Sequence, residues 1–171
     1  MNKMREIRIE KVTLNIGAGK DQKKLENGVA LLKNLTGVTP VKTKAKKRIP
    51  EWGLRVGVPI GCKLTLRGKD IPALLKRLLE AKEFHLQEKQ FTDDGTLAFG
   101  IAEYIDIGEM KYDPEIGIMG LEVCITLERP GFRIKRRMYQ KKKIPKSHKI
   151  SREESISFFK DQFNVKVGEV E

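Results

Sequence analysis

Leu35 to Gly68 reads LTGVTPVKTKAKKRIPEWGLRVGVPIGCKLTLRG. Its last part alternates cleanly. Cys62, Leu64 and Leu66 face one way, and Lys63, Thr65 and Arg67 face the other, which predicts a half-buried strand broken by Gly68. Pro40-Val41-Lys42-Thr43-Lys44 predicts a second, shorter strand. Between them, Ala45 to Ile60 holds four basic residues, two glycines, two prolines and the single tryptophan. That composition predicts a long, mobile loop, and loops of this length in compact domains are commonly functional or disordered.

Upstream, Val12, Leu14 and Ile16 alternate with Thr13 and Asn15. Ile7 and Ile9 stand in the opposite phase, so a bulge is expected near Glu10. Gly17-Ala18-Gly19 ends the strand. Asp21 should cap a helix whose inner face is Leu25, Gly28, Leu32 and Leu35, with Gly37 closing it. Downstream, Asp70 should cap a helix over Ile71 to Phe84, with Leu74, Leu75, Leu78 and Leu79 inward. Leu97 to Ile107 and the alternating Leu121, Val123, Ile125 and Leu127 predict two more strands. Ser151 and Glu154 form a capping box before a short helix with Ile156, Phe159 and Phe163 inward, and Val165 with Val167 suggests a last strand.

The order through Ile107 is β-α-β-β-α-β. This predicts an α+β fold of the split kind: an antiparallel sheet with helices on one face. The expected layout is a core over residues 1–128 and a basic extension with a C-terminal helix over 129–171, packed on the same domain. The helix-free face should then carry Thr13, Asn15, Lys42, Lys44, Lys63, Thr65 and Arg67. Such side chains donate to phosphate oxygens and 2′-hydroxyls, so that face is expected to meet RNA.

Charge supports this. The chain has 35 Lys and Arg against 23 Asp and Glu, a net charge of +12. Val41 to Arg67 has eight basic residues and one acidic; Arg129 to Lys149 has ten basic and none acidic. Glu80 to Glu128 is the reverse, with twelve acidic residues and three basic. Clustered cations of this kind attract a polyanion, whereas a surface kept only for solubility is better served by mixed signs. The basic run to Lys149 has no apolar period and is expected to order on its partner.

Catalytic patterns fail at specific positions. A dinucleotide fingerprint after Gly17-Ala18-Gly19 would need a glycine at Gln22, and a phosphate loop would need one at Leu14. His85 and His148 are the whole imidazole stock, with no nucleophile in local spacing. Asp93-Asp94 precedes Gly95 and reads as a turn. Cys62 and Cys124 lie far apart in apolar runs and read as reduced core thiols. No cofactor or metal is expected, no enzyme is supported, no 18-residue apolar run suggests a membrane span, and Met1 to Glu6 carries no targeting signal. A cytoplasmic protein is the default expectation.

The quoted stretch closely resembles the fifth large-subunit ribosomal protein family, which binds 5S rRNA. Val12 to Gly19 (VTLNIGAG) and Phe99 to Met110 with Tyr112-Asp113-Pro114 resemble it too. Glu51-Trp52-Gly53 and the basic run after Pro130 look like the archaeal and eukaryotic branch. The resemblance implies a structural protein that attaches 5S rRNA to the large rRNA in the central protuberance, beside neighbouring large-subunit proteins. By position, Asn15, Thr43, Lys44, Lys46, Lys47, Lys63 and Thr65 would hold 5S rRNA. The loop with Arg48, Pro50, Trp52 and Arg55 would face peptidyl-site tRNA, although Trp52 either folds back on the core or reaches outward. Arg133, Lys135, Arg136, Arg137, Lys141, Lys142 and Lys143 would contact rRNA. Glu109, Asp113, Glu115 and Glu122 would meet a basic small-subunit protein across an intersubunit bridge. Thr43 and Thr65 could instead be plain β-formers on a solvated face.

Overall fold

The computed structural model describes residues 2–68 and 70–168. The first strand, β1 (Arg8–Gly17), buries Val12, Leu14 and Ile16 and leaves Thr13 and Asn15 on its other side. Its register with a later strand slips between Ile9 and Lys11, the bulge that the phase change at Glu10 predicts. Helix α1 (Gln22–Thr36) begins where the Asp21 side chain accepts from the Lys23 and Lys24 amides, and ends at Gly37 in the left-handed region. Leu25, Gly28, Leu31, Leu32 and Leu35 are its buried face.

Strands β2 (Val41–Lys44) and β3 (Pro59–Leu66) flank the predicted loop, which is two residues shorter than expected because β3 starts at Pro59. Helix α2 (Ile71–Glu80) stops four residues before Phe84. The reason lies in the backbone: Glu83 and Phe84 adopt positive φ, and the Phe84 amide reaches back to the Leu79 carbonyl. Asp70 stands at the cap position without bonding the helix through its side chain, and its backbone is already helical. Strand β4 (His85–Leu86) follows, then β5 (Thr96–Ile101). The extended run to Ile107 is cut short at Ile101. Tyr104 turns inward, fully buried, with its amide donating to the Met119 carbonyl. Strand β6 (Leu121–Glu128), helix α3 (Arg152–Phe163) and β7 (Lys166–Val167) complete the order. The capping box of Ser151 and Glu154 forms as predicted.

The main sheet is antiparallel, in the order β2-β3-β1-β6-β5. Strands β1 and β2 run parallel with β3 between them, which is the split unit. Strand β5 follows α2 in the chain yet sits at the edge, and β6 inserts between it and β1. A parallel pair of β4 with β7 ties the C-terminal end to the helical side. One continuous core joins the inner faces of β1, β3, β5 and β6 to the three helices. At about 1.5–3 kcal/mol per fully buried large apolar side chain, this layer supplies the main stabilising term.

Two glycines set its tightness. A Cβ on Gly28 would meet the Ile16 Cγ2 at 3.2 Å and the Cys62 Sγ at 3.3 Å, so α1 lies close on β1 and β3. A Cβ on Gly61 would stand 2.6 Å from the Ile16 carbonyl oxygen. Of the two cysteines, Cys62 is in this core and Cys124 is half-buried on the opposite side of the sheet; both are free. Burial pushes both thiols up, with Glu122 adding to the effect at Cys124. Neither is activated as a nucleophile.

The basic segment after β6 does not wait for a partner to take shape. Phe132 and Ile150 are buried, and short turns form at Phe132–Lys135 and Lys146–His148. Arg129, 4% exposed, donates to the Glu154 carboxylate at 2.7 Å and to the Lys149 carbonyl at 3.1 Å. Phe159 meets Phe91 edge to face, and the Ser155 hydroxyl donates to the Gly95 carbonyl. Burial pushes the Glu154 carboxyl up, but the Ser151 amide and the Arg129 guanidinium outweigh it, and its pKa is lowered. A lowered folded-state pKa contributes stability above the ordinary carboxylate range and loses it as pH falls through the depressed value. Wild type should therefore be more stable than Glu154→Gln at pH 6, with the gap closing toward pH 3. Urea midpoints at the two pH values check this, and a constant gap would remove the charge-based account. Because Glu154 is partly exposed, the gap should be modest.

Candidate nucleic-acid interface

Alternation along each strand places a second set of residues on the face that no helix covers among the described residues. Pairing then orders them into rows. Thr65, Thr13, Cys124 and Ala98 are consecutive cross-strand neighbours, as are Val41, Lys63, Asn15, Glu122 and Gly100. Thr43 lies opposite Gly61, which pairs with Gly17. Neighbours of this kind have Cβ atoms about 4.5–5.5 Å apart. The result is a floor of small and polar side chains with the exposed Lys63 and Thr65 standing on it.

Four of the expected 5S rRNA residues, Asn15, Thr43, Lys63 and Thr65, are thus brought together. Asn15 also donates to the Glu122 carboxylate at 3.0 Å, which fixes its amide. Lys44, Lys46 and Lys47 are exposed and continue from the same edge into the loop. One expectation is corrected. Lys42 pairs with Cys62, so it points to the helix side, and Val41 takes its place beside Lys63. The pairing slips between Thr43 and Lys44, where Lys44 comes opposite Pro59.

At the β6 terminus the same face is closed by ion pairs. Glu128 bonds Arg8 at 2.6 Å and also Arg136, and Arg136 reaches Glu10 at 2.6 Å. Both carboxylates are nearly buried under these cations. The open part of the sheet is therefore the part between Lys11 and Gly17.

The loop from Ala45 to Val58 is laced rather than loose. Ile49 and Leu54 exchange backbone hydrogen bonds across the short turn Pro50–Trp52. The Ala45 amide donates to the Val58 carbonyl, and the Gly57 amide to the Ala45 carbonyl. Leu54 is buried and anchors the finger. Trp52 points outward, 65% exposed, beside exposed Arg48, Pro50 and Arg55. The turn after β1 is occupied too. The amides of Ala18 and Gly19 both donate to the Ile60 carbonyl, so they are not free to cradle a phosphate.

In the basic extension, Arg136 is held by Glu10 and Glu128, Arg137 by the Gln140 carbonyl, and Lys135 lies 4.9 Å over the Phe132 ring. Arg133, Lys141, Lys142 and Lys143 are exposed and carry no ion pair among the described residues. The acidic residues do not form one group. Glu109 pairs with Arg77 of α2 at 3.3 Å. Asp113 and Glu115 lie by α1, where the Asn27 amide donates to the Glu115 carbonyl. Glu122 is apart from them, on the open sheet face.

Sequence reasoning missed the small residues of β5 and β6 that flatten the floor. Their alternation was legible, but the neighbour of β1 was not. Among the described residues, no helix is long and apolar enough to cross a membrane, and no three His, Cys, Asp or Glu side chains gather to hold a metal ion.

Comparison with known proteins gives a consistent result. A family model described as "Ribosomal protein L5" matches residues 2–55, and a second model, for the C-terminal part of the same ribosomal family, matches residues 59–158. A protein of Nanoarchaeum equitans called "Large ribosomal subunit protein uL5" is 50% identical over 96% of this chain and 97% of its own length. Proteins of the same name from Sulfurisphaera tokodaii and Methanobrevibacter smithii are 48% and 46% identical. The first alignment covers 99% of this chain and 96% of the relative, the second 96% and 97%.

Proposed function

Because the chain belongs to the ribosomal protein L5 family, a structural and non-enzymatic family of the large subunit, we propose that its helix-free sheet face binds 5S rRNA and helps attach it to the large rRNA. The chain is a component of the large subunit of the cytoplasmic ribosome, engaged in translation. The 5S rRNA proposal is carried by the contiguous patch of Asn15, Thr43, Lys63 and Thr65 on a rigid sheet. A face of Lys and Thr with few aromatics suits recognition of backbone and shape in a folded RNA, rather than base stacking along a single strand.

The finger with Arg48, Pro50, Trp52 and Arg55 reads as the element toward peptidyl-site tRNA, supported by its outward tryptophan and free cations. Glu109, Asp113 and Glu115 read as the contact to a basic small-subunit protein, by complementary charge; Glu122 reads instead with the RNA face. Arg133 and Lys141 to Lys143 read as phosphate contacts to rRNA, which position without reading sequence. Within the described residues, the extension after 128 reads as working in one body with the core before it.

The test is a gel shift with a 5S rRNA transcript against excess tRNA of similar length. Binding should resist the tRNA and fall steeply with salt, since several phosphates are engaged. Equal competition by tRNA would sink the specific assignment.

A further inference from the structure

Met138 and Tyr139 are the most exposed large apolar side chains among the described residues, at 87% and 81%. They stand in a stretch, Arg129 to Lys149, with ten basic residues and no acidic one. Their turn is built, not loose. The Arg136 and Arg137 amides both donate to the Arg133 carbonyl at 2.9 Å. The Arg137 guanidinium closes the turn on the Gln140 carbonyl with two bonds, at 3.1 and 2.9 Å. Gln140 takes a positive φ of 49°, the Lys142 amide donates to the Ile134 carbonyl, and Arg136 is pinned to Glu10 and Glu128. With Arg133, Arg136, Arg137 and Gln140, the two residues line an open recess of about 520 Å³. That is within the range of small-ligand clefts.

We propose that Tyr139, on this braced turn, is a stacking platform for an unpaired base of rRNA, with Met138 beside it and the unpaired cations Arg133 and Lys141 to Lys143 on the phosphates. This rests on the RNA-bound reading above and adds a base contact at a place where that reading has only phosphate contacts. A phenol ring beside guanidinium and ammonium groups is the chemistry that holds an extruded or single-stranded base. A protein partner would have to offset the seven cations of this stretch that carry no ion pair among the described residues to reach the same two side chains. The ordering cost of the turn is already met in the free protein, so the ring is preorganised for binding.

The test compares Tyr139→Ala, Tyr139→Phe and Tyr139→Trp, each titrated against a 5S rRNA transcript and, separately, a large-subunit rRNA transcript. Two arms are needed because either RNA can supply the base. Tyr139→Ala should lose about 5- to 100-fold against one of them, while the aromatic variants hold wild-type affinity. The salt slope of Tyr139→Ala should match wild type, because no phosphate contact is removed. Its melting temperature should also match, since the side chain is exposed. Unchanged affinity of Tyr139→Ala for both RNAs overturns the proposal. So does an equal loss in Tyr139→Phe, which would assign the effect to the hydroxyl. The 5S-specific reading fails differently: wild type would bind 5S rRNA no better than tRNA, and the Tyr139→Ala ratio on the large rRNA would still be read.

Discussion

Lys63→Glu should weaken binding to 5S rRNA about ten- to a hundredfold, the largest loss expected from any single exposed side chain of the sheet face. Lys63 stands second in its row, between Val41 and Asn15, and no ion pair neutralises it among the described residues. Hydrogen bonds to a charged partner contribute about 1.5–3 kcal/mol. Reversal also sets a carboxylate against the RNA phosphates, in a row that already holds Glu122 two positions along. Repulsion from the phosphates adds to the loss only weakly, because the position is exposed and solvent screens it. The melting temperature should move little, because the side chain is exposed. Fluorescence anisotropy with labelled 5S rRNA reads the first effect and a thermal melt the second. Lys76→Glu, on the exposed side of α2, should lose far less. Equal losses in the two variants would mean that overall charge, and not this face, governs binding.

Gly61→Val should destabilise the fold by about 3 kcal/mol or more, at the upper end of overpacking costs. Even the first carbon of the new side chain would fall 2.6 Å from the Ile16 carbonyl oxygen and 3.2 Å from the Thr43 hydroxyl. The first of these is backbone and cannot swing aside, so β1 and β3 would have to separate where Gly61 faces Gly17. Gly17→Ala is the control: it sits opposite Gly61, but a Cβ there meets nothing within 4 Å. Urea denaturation of the two variants separates a local clash from a general intolerance of the glycine pair. A Gly61→Val protein as stable as wild type would mean that the strands are not so closely laid.

Much of this was legible in the chain. Alternation at Cys62–Arg67 and Leu121–Leu127 reported both the strands and their buried side, because a sheet with one open face forces a period of two. The caps of α1 and α3 were legible because Asp21, Gly37, Ser151 and Glu154 act within their own turn. What failed depends on distant contacts. The facing of Lys42 follows from its register against Cys62, and local alternation around Thr43 does not contain it. The early end of β5 depends on Tyr104 finding a buried site under the 119–120 backbone. The basic extension looked featureless because its order comes from single anchors, Arg129 to Glu154 and Arg136 to Glu10 and Glu128, separated by up to 126 residues. For the site, residue types suggest a chemistry, and the fold decides which residues share a surface: Asn15, Thr43, Lys63 and Thr65 do, while Glu122 parts from Glu109, Asp113 and Glu115.

Binding of 5S rRNA by the helix-free face, and not by the helical side, would leave a lysine-by-lysine footprint. Lysine acetylation of the protein with and without bound 5S rRNA, read residue by residue in a mass spectrometer, tests it most directly. Lys63, Lys44 and Lys46 should be protected in the complex, while Lys76 on α2 and Lys160 on α3 stay as reactive as in the free protein. Protection of Lys76 and Lys160 with Lys63 left reactive would contradict it.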